Sequence, residues 1–477
     1  MNDLSRNDKK MARKIAEIVN NRGGKVYYVG GYVRDKILGR ANKDIDIEVY
    51  GVTPEELKDI VSSLGTLKTQ GASFGVYNLK GYDIDIAQPR KETATGRGHK
   101  DFEVFIDPFI SEEKAAKRRD FTMNAMMQNV LTGEIIDPFG GQEDLKKGII
   151  RHVDETTFVE DPLRVFRAAQ FAARFGFDIA PKTLSLMKTM DVTTLPKERV
   201  YGEMQKALLK AEKPSKFFEV LRDANLLSNW FPELERLIGC EQDPIFHPEG
   251  DVWNHTMLVL DEAAKRKNEV ENPEFFLISA LCHDMGKPDT VTKSEDGRIH
   301  TYAHGEAGVP VAKRFLDRLN ADTKLHEYVL EMVAHHMDPH ECFNNNSHIK
   351  STNRRFDVVH YPADLCKLAI SDISGKADGK ERAMLEEAFL TKRLAIYKKR
   401  AAEPMVKGSD LIAMGLKPSP EFSDILALSR KMHFSGVDKI AVLKDIIAKN
   451  KEKVDVDKAQ DLISELEMEE PGDFSMG

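Results

Sequence analysis

The spacing of apolar and polar positions changes character along the chain. Between residues 7 and 21 apolar residues recur at helical intervals through Met11, Ile15 and Val19, and Arg22-Gly23-Gly24 supplies glycines that end a helix. Val26 to Val29 then reads as a short strand, which Gly30-Gly31 turns tightly into a second helix. In Asp44-Ile45-Asp46-Ile47 the period drops to two, so both carboxylates leave one face of a strand while the isoleucines enter a core. Further strands, separated by Gly71, Gly75 and Gly81, are predicted between Gly65 and Ala87, where Asp83 and Asp85 repeat the alternation. Pro89 to His99 is polar and glycine-rich, the composition of a mobile loop. A helix is predicted to open within Lys117 to Met126, and the turn from Ile135 to Gly141 closes the region near residue 150.

Beyond that point the pattern is helical almost without interruption. Glu160-Asp161-Pro162-Leu163 begins a helix, with Asp161 suited to the cap and Pro162 to the first turn. Residues 211–245 read as helical connecting material with joints at Pro232 and Pro244. After about residue 378 charged helices lead to a joint at Lys417-Pro418-Ser419-Pro420 and a frayed acidic end after Glu470-Pro471. No internal repeat or low-complexity tract interrupts this order. The fold class is α+β: a head with a small mixed β-sheet over residues 1–150, then an all-helical body divided into 151–245, 246–378 and 379–477.

Composition narrows the setting. The 477 residues suffice for two to four domains. No apolar run of about 18 residues and no apolar leader follows Met1-Asn2-Asp3, so neither a membrane span nor secretion is expected. Four cysteines without a Cys-x-x-Cys pair fit buried thiols in a reducing cytoplasm. The net charge of −8 argues at first against a nucleic-acid partner. However, residues 451–477 hold three lysines against nine acids, which leaves the remaining body nearly balanced. Lys114, Lys117, Arg118 and Arg119, with Arg164, Arg167 and Arg174, are candidates for a basic cleft.

Three constellations carry chemistry. The start of the helix after Gly30-Gly31 offers free N–H groups to an anion, a predicted phosphate seat, and the Asp44/Asp46 face suits two divalent ions. Together they point to metal-assisted nucleotidyl transfer. Asp161 and Arg164, three apart on one helical face, place an acceptor beside a forked donor. Such a pair matches the amino group and ring nitrogen that cytosine and adenine share on the pairing edge, and opposes uracil and guanine. The third set is His255, His283-Asp284, His304, His335-His336 and Asp372, imidazoles and carboxylates on successive helices that suit a divalent metal activating water against a phosphoester.

From about residue 24 to 210 the chain resembles the class II CCA-adding tRNA nucleotidyltransferase and bacterial poly(A) polymerase family. The matching motifs are the Gly30-Gly31 to Asp46 block, Arg118-Arg119-Asp120-Phe121-Thr122-x-Asn124-Ala125, Asp137-Pro138-Phe139-Gly140-Gly141, Glu160-Asp161-x-x-Arg164, and Glu198-Arg199 with Glu203. The resemblance implies tRNA as substrate, CTP and ATP as donors, and Mg²⁺ on Asp44 and Asp46. It further implies nucleotide binding by Gly30, Gly31, Arg34, Asn124 and Arg167, ribose contacts from Arg119 and Asp120, base templating by Asp161 and Arg164, and help from the loop after Pro89 in switching from C to A. The histidine set resembles an HD phosphohydrolase domain, which implies a divalent metal on His255, His283, Asp284 and Asp372, with His304, His335 and His336 serving phosphate or a second ion. Phosphatase, nucleotidase and 2′,3′-cyclic phosphodiesterase activities go with that domain. A CC-only, A-only or poly(A)-adding enzyme shares the head motifs, and a phosphohydrolase with a non-catalytic head is the reading from another class.

Overall fold

A computed structural model describes residues 3–42, 44–68, 76–94, 102–319, 321–377 and 379–469. The chain divides into two compact units: Met1–Glu235 with Arg318–Asn320, and Arg236–Asp317 with Ala321–Gly477. The head and the expected neck up to Glu235 thus share the first unit, and residues 236–245 fall with the histidine-bearing and C-terminal regions in the second.

The first unit is built on strands β1 (Lys25–Val29), β2 (Ile45–Tyr50), β3 (Val76–Asn78), β4 (Ile84–Ala87), β5 (Arg90–Ala94), β6 (Phe102–Ile106), β7 (Met127–Asn129) and β8 (Ile135–Ile136). Six of them form a mixed sheet in the order β3-β4-β2-β1-β7-β8, in which β2 and β4 run parallel and the other pairs antiparallel. The helix Asp3–Asn21 buries Ala12, Ile15, Ala16 and Val19. Ile45, Ile47 and Val49 are buried, each contributing about 2 kcal/mol, and that burial orients the alternate residues of β2. β5 and β6 pair antiparallel, so the first part of the expected mobile loop is a strand; its residues 95–99 lie outside the described residues, as do Gly71 and Gly75. A helix does open within Lys117–Met126, but only as the short Thr122–Ala125, separated by Arg118 to Phe121 from the helix Glu112–Lys117. Asp120 accepts from the N–H of Phe121, a local bond that competes with helix continuation.

In the neck, the helix Leu163–Phe175 packs against Lys197–Lys210 and Ser215–Asp223. Phe166, Phe217, Phe218, Trp230 and Phe231 fill that contact edge to face, with ring centroids 5.1 Å apart for Phe217 and Phe218.

The second unit is mostly helical. Its centre is Pro273–Cys282, buried from Phe276 to Cys282 and packed by Val252–Arg266, Thr323–His335 and Pro362–Ser374. A helix apolar on all sides belongs in such a centre. One antiparallel pair, Val291–Lys293 with Ile299–Thr301, interrupts the helices. Residues 404–469 close around a separate small core that includes Leu411, Met414, Leu443 and Ile446. The acidic end after Glu470 lies outside the described residues. Among the described residues no helix is long and apolar enough to cross a membrane.

Candidate active sites

In the head, Gly30 adopts φ 63°, and a Cβ placed on it would lie 3.3 Å from Arg119 Nη1 and 3.9 Å from Asp46 Oδ2. The glycine turn, the acidic strand and Arg119 therefore converge. Asp44 is exposed just before β2, and Asp46 is half-buried directly beside its register partner Asp85 of β4. Burial first, then the charges of Asp85, Asp44 and Asp83 against the opposing Arg119, raise the Asp46 carboxyl to about 6. Four acids crowded at the N-terminal ends of the neighbouring strands β2 and β4, one of them half-desolvated, form a donor set that a hard divalent cation suits.

Glu48, the next acid on the same face, is buried and takes the Tyr50 hydroxyl at 2.7 Å. It also faces Arg118 at 3.5 Å and Arg119 at 3.7 Å. Sequence reasoning missed it, although the acids at 44, 46 and 48 continue one period-two register.

The other expected nucleotide contacts form a braced network. Arg34 is buried: its guanidinium donates to Asp35 at 2.8 Å and to Asn124 at 2.7 Å, and it lies over the rings of Phe171 and Phe175. Asn124 donates to Asp120 at 3.0 Å, and Arg167 Nε donates to the other Asp120 oxygen at 2.7 Å. Arg34 and Asp120 are thus braced by partners inside the protein. Burial raises the Asp120 carboxyl, but Arg167 and Asn124 outweigh it and hold the group below the usual carboxylate range. Arg164 donates to the carbonyls of Thr157 at 2.6 Å and Arg118 at 2.8 Å, tying the neck helix to the Arg118-Arg119 stretch. Asp161 caps that helix at the N–H of Leu163, 3.1 Å away, and its second oxygen lies 3.4 Å from Arg199.

In the second unit one device recurs. The Nδ1–H of His283 donates to the carbonyl of Ala280, that of His304 to Thr301 and that of His336 to Val333, each at 2.8 Å and each three residues back. His255 Nδ1 bonds to Glu249 Oε1 at 2.9 Å. Every one of these rings is left with Nε2 as its acceptor, and the four Nε2 atoms surround Asp284. Its Oδ2 is 3.2 Å from His283 Nε2 and 3.6 Å from His255 Nε2, while Oδ1 is 3.3 Å from His304 Nε2 and 3.8 Å from His336 Nε2. Asp372 Oδ1 stands 3.0 Å from His255 Nε2.

His255 Nε2, His283 Nε2, Asp284 Oδ2 and Asp372 Oδ1 are buried and in no hydrogen bond. Asp284 Oδ2 has an ion-pair partner in Lys287 Nζ at 2.7 Å, whereas leaving the other three converging atoms unsatisfied costs about 1–3 kcal/mol each, which a metal ion would offset. His255, His283 and Asp372 present ligand atoms within 4.8 Å of one another, as do Asp284, His304 and His336. Nε2 of His304 lies 3.0 Å from Nε2 of His336, and burial together with His304 and His283 lowers His336 to about 3, so two lone pairs face each other. The donor set, nitrogen and carboxylate oxygen, fits divalent transition metals.

His335 does not join them. Consecutive helical residues point about 100° apart, so with His336 turned inward His335 turns out and bonds Asp338 at 2.8 Å. Two supports went unseen in the sequence. Glu249 orients both His247 and His255, and the fully buried Glu386 holds His340 Nδ1 at 2.7 Å while His340 Nε2 meets Asp372 Oδ2 at 2.9 Å. Only an acid on an otherwise packed face marked Glu386.

Residues 26–151 match the Poly A polymerase head domain, 176–238 the probable RNA and SrmB-binding site of polymerase A, and 252–361 the HD domain. A multifunctional CCA protein of Nitrosococcus oceani is 35% identical over 398 residues, covering 82% of this chain and 93% of the relative. The Bacillus stearothermophilus CCA-adding enzyme in complex with CTP shares the fold with a TM-score of 0.62 at 22% identity, over 93% of this chain and 99% of that one. The Thermotoga maritima CCA-adding enzyme complexed with tRNA_CCA does so with 0.61 at 21%, over 93% and 95%. With head, RNA-binding segment and HD domain present in that order and a relative matched along most of both chains, this chain belongs to the CCA-adding tRNA nucleotidyltransferase and poly(A) polymerase family, in its HD-bearing form.

Proposed function

We propose that the chain adds C, C and A to the 3′ end of tRNA from CTP and ATP without a nucleic-acid template, and that its second unit hydrolyses phosphoesters. The observation that carries the first part is the convergence of Gly30, Asp46 and Arg119, because transfer needs a close phosphate approach, a metal-holding face and a fixed cation in one place. Asp44 and Asp46 would hold Mg²⁺. When bound, the ions acidify the attacking 3′-hydroxyl and neutralise the triphosphate. Gly30 keeps side-chain bulk away from the phosphates, and Glu48 fixes the guanidinium groups of Arg118 and Arg119. Asp161 and Arg164 read the base edge, with Arg199 beside Asp161 setting the carboxylate's direction. The 1–150 head and 151–245 neck act together in this reading.

In the second unit His255, His283, Asp284 and Asp372 would hold a divalent metal, with His304 and His336 facing a second position or the phosphate. The metal supplies an activated water at neutral pH. Lys287, whose Nζ lies 2.7 Å from Asp284 Oδ2, balances the buried carboxylate. Four free cysteines fit work in the reducing cytoplasm.

Supplying tRNA transcripts that lack CCA with CTP alone, ATP alone or both tests the first part. CTP alone should add two residues, and both together should add the complete CCA. Addition of C only, of A only, or of an A tail would replace full CCA addition with one of the related reactions.

A further inference from the structure

The histidine cluster opens into a cavity of about 390 Å³, a volume that accommodates a small ligand. Besides the metal-ligand candidates its walls include the cations Lys376 and Arg382 and, among their rings, the adjacent His300 and Tyr302. The rings stack on each other with centroids 5.2 Å apart and planes 12° from parallel. Tyr302 is nevertheless 74% exposed, so one face is backed by imidazole while the other meets solvent. Both residues come from the antiparallel pair Val291–Lys293 and Ile299–Thr301 or its immediate end.

The joint that follows is strained. Ala303 sits at φ 56°, a left-handed conformation disfavoured by any residue with a Cβ. It separates exposed Tyr302 from buried His304, the ring whose Nε2 is 3.3 Å from Asp284 Oδ1. Two residues of chain span at most about 7 Å, so Tyr302 is held next in line to His304, and both line the same cavity as Asp284.

We propose that Tyr302, backed by His300, is the stacking platform for the base of a nucleoside phosphate whose phosphate lies between the Asp284 cluster and the cations Lys376 and Arg382. The site then selects nucleotides over phosphoesters without a base. This rests on the phosphohydrolase reading of the second unit. Stacking suits it because every base has a π face, so the platform is indifferent to sequence, as the end of any RNA or a free nucleotide requires.

The test uses the full-length chain with Tyr302→Ala and Tyr302→Phe, loaded with Mn²⁺. Two quantities are measured: binding of 2′-AMP by calorimetry, and the ratio of kcat/KM for 2′-AMP over glycerol 2-phosphate, which has no base. Tyr302→Ala should weaken 2′-AMP binding about tenfold and lower the ratio by a similar factor, chiefly through KM, while Tyr302→Phe restores both. An RNA trinucleotide with a terminal 2′-phosphate should also lose affinity, and the larger of the two losses identifies the source. Unchanged binding and an unchanged ratio in Tyr302→Ala would overturn the platform. If the wild type turns over neither substrate, the phosphohydrolase reading fails by itself, and the binding comparison still decides the role of Tyr302.

Discussion

At Asp120 a single carboxylate connects electrostatics to fold. Its oxygens are held by Asn124 and Arg167, and its folded pKa lies below the unfolded value of about 3.9. A depressed carboxyl adds stability that is present above the unfolded pKa and disappears as pH falls through the folded one. Urea midpoints of the wild type should therefore decline as pH drops below about 4. Asp120→Asn should be less stable by about 2 kcal/mol at pH 7, with the gap closing in acid; a gap of constant size across pH would remove Asp120 from this role. Gly286 is a second residue whose size matters. A Cβ there would overlap the carbonyl oxygen of His304 and crowd Gly308, both backbone, so Gly286→Ala should cost about 3 kcal/mol in a denaturant titration and displace His304 from Asp284. The base-reading pair is tested the same way: Arg164→Ala should let UTP compete with CTP, and unchanged discrimination would place base selection elsewhere.

Individual elements explain which parts of the site were legible in the sequence. β2 announced itself because Ile45 and Ile47 are buried at period two, and that register alone turns Asp46 to the other face. The same register reaches Glu48, which was overlooked because its partners Arg118 and Arg119 lie some 70 residues further on and no local pattern links them. His283, His304 and His336 were visible as chemistry, while the bond to the carbonyl three residues back belongs to the turn of helix that carries His283 and His336 and to the strand-to-helix turn before His304. That geometry also removed His335, which the sequence cannot separate from its neighbour without a helical phase. Glu249 and Glu386 act through other residues across loops and helices, so only tertiary contact reveals them. Glu386→Gln should weaken metal binding by the second unit about tenfold in equilibrium dialysis with little change in melting temperature. Equal metal affinity in that variant would make the Glu386–His340 pair a packing feature.

On the scale of the whole molecule, two compact units each carry their own candidate site, and composition alone gave a misleading first impression of the partner. The charge of −8 is concentrated at the acidic end, whereas head and neck concentrate arginines around buried acids: Arg34 on Asp35, Arg167 on Asp120, and Arg118 and Arg119 on Glu48. Mixed sheet and helical body were readable from the periodicities, but β5 was hidden by a polar composition that also suits a loop. The central claim is that the acidic face of β2 beside the Gly30 turn performs nucleotidyl transfer independently of the second unit. Its most direct measurement is CTP incorporation into CCA-less tRNA by full-length Asp46→Ala and His283→Ala, with melting temperatures recorded alongside. Incorporation should fall at least about a thousandfold in Asp46→Ala and stay near wild type in His283→Ala, both folded. Sustained incorporation by folded Asp46→Ala, or its loss in His283→Ala, would contradict the account.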